Sequence, residues 1–129
     1  MNYSLLITAP ANDLLTHRRA MAFAEALFEA KHSIRMIFFY GASTSVGLAS
    51  RVKAQNPRIG RIDWNAFAEK INTRLTLCIS SALNEGVFDK TEASRMKTKS
   101  TIASGFEIAG MGSFIEAIDE SDRLMTFGG

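Results

Sequence analysis

One thiol in 129 residues narrows the nucleophilic chemistry open to this chain. Cys78 is the only cysteine, and the sequence holds two histidines, His17 and His32. A lone cysteine cannot close an internal disulfide, and one cysteine with two histidines does not assemble the usual Cys/His zinc set. No motif supports a carboxylate metal site, so no metal ligand is assigned. What remains is thiolate chemistry, since the thiolate rather than the thiol is the nucleophile. Cys78 stands in the apolar run Leu75 to Ile79, directly before Ser80-Ser81. That order predicts a strand over 75–79 and a short helix opened by Ser80 and Ser81 and ended by Gly86. A thiol just ahead of a helix start lies near unpaired N–H groups, which favour its anion. The same pattern also fits an inert cysteine packed as a small hydrophobe. Position alone leaves both readings open.

Other constellations carry less. Neither histidine is within local reach of Cys78; a Cys–His pair assembled in three dimensions is one reading, and a solvated or helix-terminal histidine the favoured one. Gly105 and Gly110 are spaced like the ends of a phosphate loop, but Met111-Gly112 stands where Lys-Ser/Thr is needed. Thr8 to Asp13 could meet a flavin phosphate at a helix start, yet it has no glycine for the backbone to close around one. No cofactor is therefore assigned. Arg51, Lys53, Arg58 and Arg61 form a basic stretch with no acidic residue, and Arg95, Lys97 and Lys99 a second. A solvated surface is one reading, and a docking face for an acidic partner or RNA backbone the other. Glu107, Glu116, Asp119, Glu120 and Asp122 make the C-terminal part acidic. Such asymmetry suits electrostatic pairing between unlike subunits.

The elements that must position Cys78 follow from periodicity. Tyr3 to Thr8 is a short apolar strand ending at Ala9-Pro10. Asn12 or Asp13 caps a helix to about Lys31, with Ala20, Phe23, Ala24 and Leu27 on its buried face and Arg18, Glu25 and Glu29 opposite. Ile34 to Tyr40 is a second strand. The segment 41–62 reads as a long loop with a helical turn around Val46 to Val52. Asp63 caps a helix burying Trp64, Phe67, Ala68 and Ile71, and Asp89 with Glu92 resembles a capping box for a helix to about Met96. After a polar stretch, Phe106 to Ala109 reads as a short strand, and Met111, Phe114, Ile115 and Ile118 as the buried stripe of a last helix. Arg123 to Phe127 is a last strand. This alternation predicts one α/β domain over residues 1–129, a parallel sheet of about four or five strands with helices on both faces. Active groups gather at the carboxyl ends of such strands, and Cys78 is at one of them.

The totals agree with an ordinary globular domain. Apolar residues make up 47% and charged residues 22%, with a formal net charge of +2, too small to argue for nucleic-acid binding. The amino terminus lacks a basic secretory signal region and no apolar run nears ~20 residues, so the reducing cytoplasm is the expected compartment and no membrane association is expected.

Three ordered segments carry a resemblance. The first runs from Ala9-Pro10 through Phe23-Ala24-Glu25-Ala26-Leu27 and His32 to Phe38-Phe39-Tyr40. The second is Leu77-Cys78-Ile79-Ser80-Ser81-Ala82-Leu83, then Gly86-Val87, Asp89 and Thr91-Glu92-Ala93. The third is Gly105-Phe106, Gly110-Met111-Gly112, Glu116-Ala117 and Asp122-Arg123 before Phe127. Together they resemble the DsrE/TusD family of sulfur-relay proteins, its TusD branch most closely. The resemblance implies a flavodoxin-like fold and a sulfurtransferase that carries sulfane sulfur as a persulfide on Cys78. It implies TusB- and TusC-like partner subunits in a hetero-oligomer, a TusA-like sulfur donor and a TusE-like acceptor, serving 2-thiolation of the tRNA wobble uridine. Whether the chain touches tRNA itself stays open. The DsrE side of the family implies sulfur oxidation beside DsrF- and DsrH-like subunits, where a member can also serve as a non-catalytic assembly subunit. A nucleotide- or flavin-binding module follows from the fold by analogy alone. Two departures stand out: Ala9-Pro10-Ala11 replaces a glycine-containing turn, and Asn84-Glu85 replaces a pair of arginines common before Gly86.

Overall fold

The computed structural model describes residues 1–54 and 62–128. Five strands form one all-parallel sheet: β1 (Asn2–Ile7), β2 (Ser33–Phe39), β3 (Leu75–Cys78), β4 (Phe106–Ala109) and β5 (Arg123–Phe127), in the order β4-β3-β2-β1-β5. The connections carry α1 (Leu14–Glu29), a 3-10 helix (Gly41–Gly47), α2 (Ala49–Ala54), α3 (Trp64–Ile71), α4 (Ile79–Asn84), α5 (Lys90–Arg95) and α6 (Met111–Asp119). The alternation expected from the sequence is therefore present, with five strands and helices on both faces.

The strand order decides where the helices lie. From β1 to β4 the chain steps across the sheet in one direction, and right-handed crossovers then put the intervening helices on one face. From β4 it returns past three strands to pair β5 with β1, and the reversed step puts α6 on the other face. The core divides accordingly. Leu5, Ile7, Ile37, Phe39, Leu75 and Leu77 bury against Ala20, Ala24, Leu27, Trp64, Ala68 and Ile71. On the second face Leu6, Met36, Phe38 and Cys78 meet Phe114, Ala117 and Ile118 of α6. Period-two alternation along β3 explains why Cys78 belongs to this second cluster while Leu77 belongs to the first.

Local signals fix the ends. Asp13, Asp63 and Asp89 each accept the backbone N–H three residues on, at 3.1, 3.0 and 2.8 Å, so three acidic caps open α1, α3 and α5. Asn72 closes α3 in the left-handed region, at φ 51°.

Three expectations need correcting. Residues 41–54, read as part of a long loop, form a 3-10 helix followed by α2, while residues 55–61 of that reading lie outside the described residues. A glycine explains the close packing of the 3-10 helix: a Cβ on Gly47 would sit 2.5 Å from Leu77 Cδ1. The third strand ends at Cys78 and the helix begins at Ile79, one residue before Ser80. The stripe of α6 is narrower than its apolar spacing implied, since Phe114 and Ala117 are buried while Met111 and Ile115 are 46% and 61% exposed. Three of the five acidic residues named in the C-terminal part also have partners within the chain. Glu107 accepts from Arg74 and Thr76, Glu120 pairs with Arg35, and Asp122 accepts the Asn2 N–H. Of the first basic stretch, the Lys53 side chain, Arg58 and Arg61 lie outside the described residues.

Candidate functional site

Cys78 is the last residue of β3 and the N-cap of α4, with φ −62° and ψ 124°. The residue is 1% exposed. Its Sγ lies 3.5 Å from Ser80 Oγ. Burial pushes the thiol pKa up. The Ser80 hydroxyl, the Ser81 N–H, the Ser81 hydroxyl and the Ser80 N–H push it down, and together they leave it below the ordinary value of 9.0. The two N–H groups belong to the first turn of α4, where they favour the anion. A six-residue helix has little macrodipole beyond its first turn. The lowering foreseen from a helix start comes here from the first turn of α4, through the hydroxyls and N–H groups of Ser80 and Ser81.

Ser81 is held from the neighbouring connection. Its Oγ accepts the Gly41 N–H at 2.9 Å. Gly41 follows β2 with φ +65°, a conformation that disfavours side chains, and its carbonyl accepts the Thr44 hydroxyl at 2.8 Å. The carboxyl ends of β2 and β3 are thereby joined through one serine, beside the sulfur. Nothing local in the sequence announces this link, because it spans 40 residues.

The other residues singled out from the sequence lie elsewhere. His17, expected in solvent or at a helix end, is fully buried. Its Nε2 lies 3.0 Å from the Ala9 carbonyl and 3.1 Å from that of Pro10, and its Nδ1 accepts the Trp64 indole N–H at 3.1 Å. Two acceptors at Nε2 and a donor at Nδ1 define the neutral Nε2–H tautomer. His32 does end near a helix terminus, against the amino-terminal nitrogen of Met1 at 3.0 Å. Neither ring is among the groups that bond to Cys78.

The turn Thr8 to Asp13 lies at the carboxyl end of β1, and the strand order reverses between β1 and β5. Ligands of open α/β sheets favour the crevice at such a reversal. Here Gly128 packs so closely on Thr8 and Ala9 that a Cβ would overlap them, while the Ala9 and Pro10 carbonyls turn inward to His17. Asn84 and Glu85 are exposed at the far end of α4 from the thiol, and Glu85 is its C-cap. In the second basic stretch Arg95 pairs with Glu92 at 3.3 Å, and Lys97 and Lys99 are exposed. Among the described residues no helix is long and apolar enough to cross a membrane.

With this geometry in view, comparison with known proteins is decisive for the family. A sequence profile of the DsrE/DsrF-like family matches residues 1–127. The chain belongs to that family. Among relatives, it is 33% identical over 128 residues to the sulfurtransferase TusD homolog of Vibrio vulnificus, covering 98% of each chain. It is 30% identical over 132 residues to sulfurtransferase TusD of Salmonella typhi, covering 98% of this chain and all of that one. The fold is similar to that of the ychN protein from E. coli, with a TM-score of 0.67 over 98% of this chain and 99% of that one, at 17% identity. In the DsrE/DsrF-like fold as this chain builds it, a single thiol occupies the carboxyl edge of the third strand.

Proposed function

We propose that this chain is a sulfur-carrier subunit that takes sulfane sulfur as a persulfide on Cys78 and hands it to an acceptor protein. The observation that carries the reading is the thiol at the strand end, its anion favoured by the hydroxyls and N–H groups of Ser80 and Ser81. Family membership and relatives named sulfurtransferase TusD support it.

In the loading step the Cys78 thiolate attacks the outer sulfur of a donor persulfide. The donor S–S bond breaks, a new S–S bond forms on Cys78, and the donor leaves as its thiolate. In the unloading step an acceptor thiolate attacks the outer sulfur of the Cys78 persulfide, and Cys78 leaves as its thiolate. Neither step needs a net oxidant or reductant. A lowered thiol pKa serves both, since it supplies thiolate for loading and a better leaving group for unloading.

By the same reading the donor is TusA-like, the acceptor TusE-like, and the product relay the 2-thiolation of tRNA wobble uridine. TusB- and TusC-like subunits are the proposed neighbours. The exposed Met111 and Ile115 of α6 and the exposed Leu124 and Met125 of β5 support burial against other subunits. The near-complete burial of Cys78 favours a second reading, a non-catalytic assembly subunit whose thiol is only packed.

The experiment that separates them uses intact mass after incubation with a persulfidated donor protein. The expected result is one added sulfur on the wild type, none on Cys78→Ser, and loss of the adduct when an acceptor thiol protein follows. An adduct that persists in Cys78→Ser, or none on the wild type, overturns the carrier reading.

A further inference from the structure

The solvent face of α6 combines apolar side chains with free carboxylates. Among the described residues Glu116 and Asp119 enter no ion pair, and both are exposed. Helical spacing sets them beside Met111 and Ile115: positions 111, 115 and 119 follow one ridge in four-residue steps, and 116 lies on the next. Leu124, 41% exposed, pairs with Ser4 in the β1–β5 register, and the Ser4 hydroxyl donates to the Ala117 carbonyl of α6. Leu124 therefore stands on the same face of the sheet as α6. Met111, Ile115 and Leu124 thus make an apolar surface edged by two carboxylates.

The opposite arrangement follows α5. Residues 94–100 are exposed without interruption, through the end of that helix and the turn beyond it. Met96, 48% exposed, is the C-cap, with Arg95, Lys97 and Lys99 around it in sequence. Arg95 reaches back to Glu92, whereas Lys97 and Lys99 enter no ion pair among the described residues. No acidic residue occurs between Glu92 and Glu107. An exposed methionine among cations matches an apolar surface edged by carboxylates, with apolar side chains at the centre and opposite charges at the rim.

These two surfaces do not meet within one chain. α5 belongs to the β3–β4 connection on the first face of the sheet, and α6 covers the second. We propose that this chain associates head to tail with a second copy of itself, the acidic apolar face of α6 in one protomer seated on the basic turn after α5 in its partner. Unlike surfaces make a heterologous contact, which closes into a ring or continues as a chain of copies. The contact does not rest on the carrier reading.

The test is analytical ultracentrifugation of the purified chain beside two double variants, Glu116→Lys with Asp119→Lys and Lys97→Glu with Lys99→Glu. All four side chains are exposed, and circular dichroism serves as the control for the fold. Wild type is expected above the mass of one chain at about 100 µM in ~50 mM salt, and closer to it in ~500 mM salt, where the rim charges are screened. Each double variant dissociates at least about tenfold more readily, because like charges are brought together. An equimolar mixture of the two variants regains the association, since the reversed α6 of one then meets the reversed turn of the other. Misfolded variants do not give that recovery. Wild type that sediments as one chain at every concentration overturns the proposal. So does association that neither double variant weakens, or a mixture that fails to recover it. Persulfide loading on Cys78 is read separately by mass, so the carrier reading stands or falls on its own.

Discussion

Replacing His17 with alanine lowers the unfolding free energy by about 3 kcal/mol or more, measured by equilibrium urea denaturation. The ring is fully buried and stacks on Phe39 with an interplanar angle of 13°. It is also the partner of the Trp64 indole N–H and of the Ala9 and Pro10 carbonyls. Truncation leaves those polar atoms without the ring and opens a cavity between α1, α3 and the turn after β1. A buried donor or acceptor left unmade costs about 1–3 kcal/mol, and the lost packing adds to it. An effect under about 1 kcal/mol would mean that the ring is not the brace its bonds describe.

The same site sets a pH dependence. Burial lowers the His17 pKa from the ordinary 6.5, more strongly than its bonds to Ala9 and Pro10 and the nearby Asp13 raise it. The unfolded chain therefore binds a proton that the folded chain resists. Stability from this group is fully present above pH 6.5 and is lost as pH falls toward the lower folded value. Protonation would also put a hydrogen on Nδ1, where the Trp64 N–H already donates. The stability gap between wild type and His17→Ala should accordingly narrow as pH drops below about 6.5. A gap that is constant across that range removes the linkage argument.

His17 also shows what sequence could and could not convey. The helix containing it was legible from Ala20, Ala24 and Leu27, and so was the alternation that makes a parallel sheet. Cys78 at a strand end was legible for the same reason, since its placement depends on neighbours within a few residues. The partners of His17 come from Trp64, 47 residues away, and from carbonyls of a turn. No local period encodes them. Ser81 is a similar case: its serine type marked a helix start, while its use depends on Gly41 across the sheet edge. The apolar spacing of Met111 and Ile115 read as core because residue type reports what can be buried, not how much helix a lone element on one face of a sheet has room to bury. The 3-10 helix after Tyr40 was missed because Gly, Ser and Thr rank low as helix formers; packing against β3, with Gly47 against Leu77, outweighs that preference.

Replacing Phe114 with alanine should both destabilise the chain by about 3–5 kcal/mol and open the way to Cys78. Phe114 is 4% exposed and stacks on Phe38 with ring centroids 4.4 Å apart and planes 8° apart. It belongs to the small cluster on the second face that also encloses Cys78. Among the described residues α6 is the helix whose side chains join that cluster, and Phe114 is the largest of them. Urea denaturation measures the first effect, and the rate of native-state thiol labelling the second. Global unfolding alone would also speed labelling, so the control is Leu27→Ala, which removes a buried side chain from the opposite face. After correction for the two variants' stabilities, Phe114→Ala should label at least about tenfold faster, because a cavity beside the thiol opens locally rather than by unfolding the sheet. Equal corrected rates would show that the route to the sulfur does not pass under α6. The physical stake is the conflict within the site: a thiol tuned toward its anion by two serines belongs to a residue only 1% exposed. If the Phe114→Ala result holds, opening at the first turns of α6, whose solvent face carries Met111 and Ile115, is the expected route to the sulfur, because it leaves the five-stranded sheet and the helices of the first face in place.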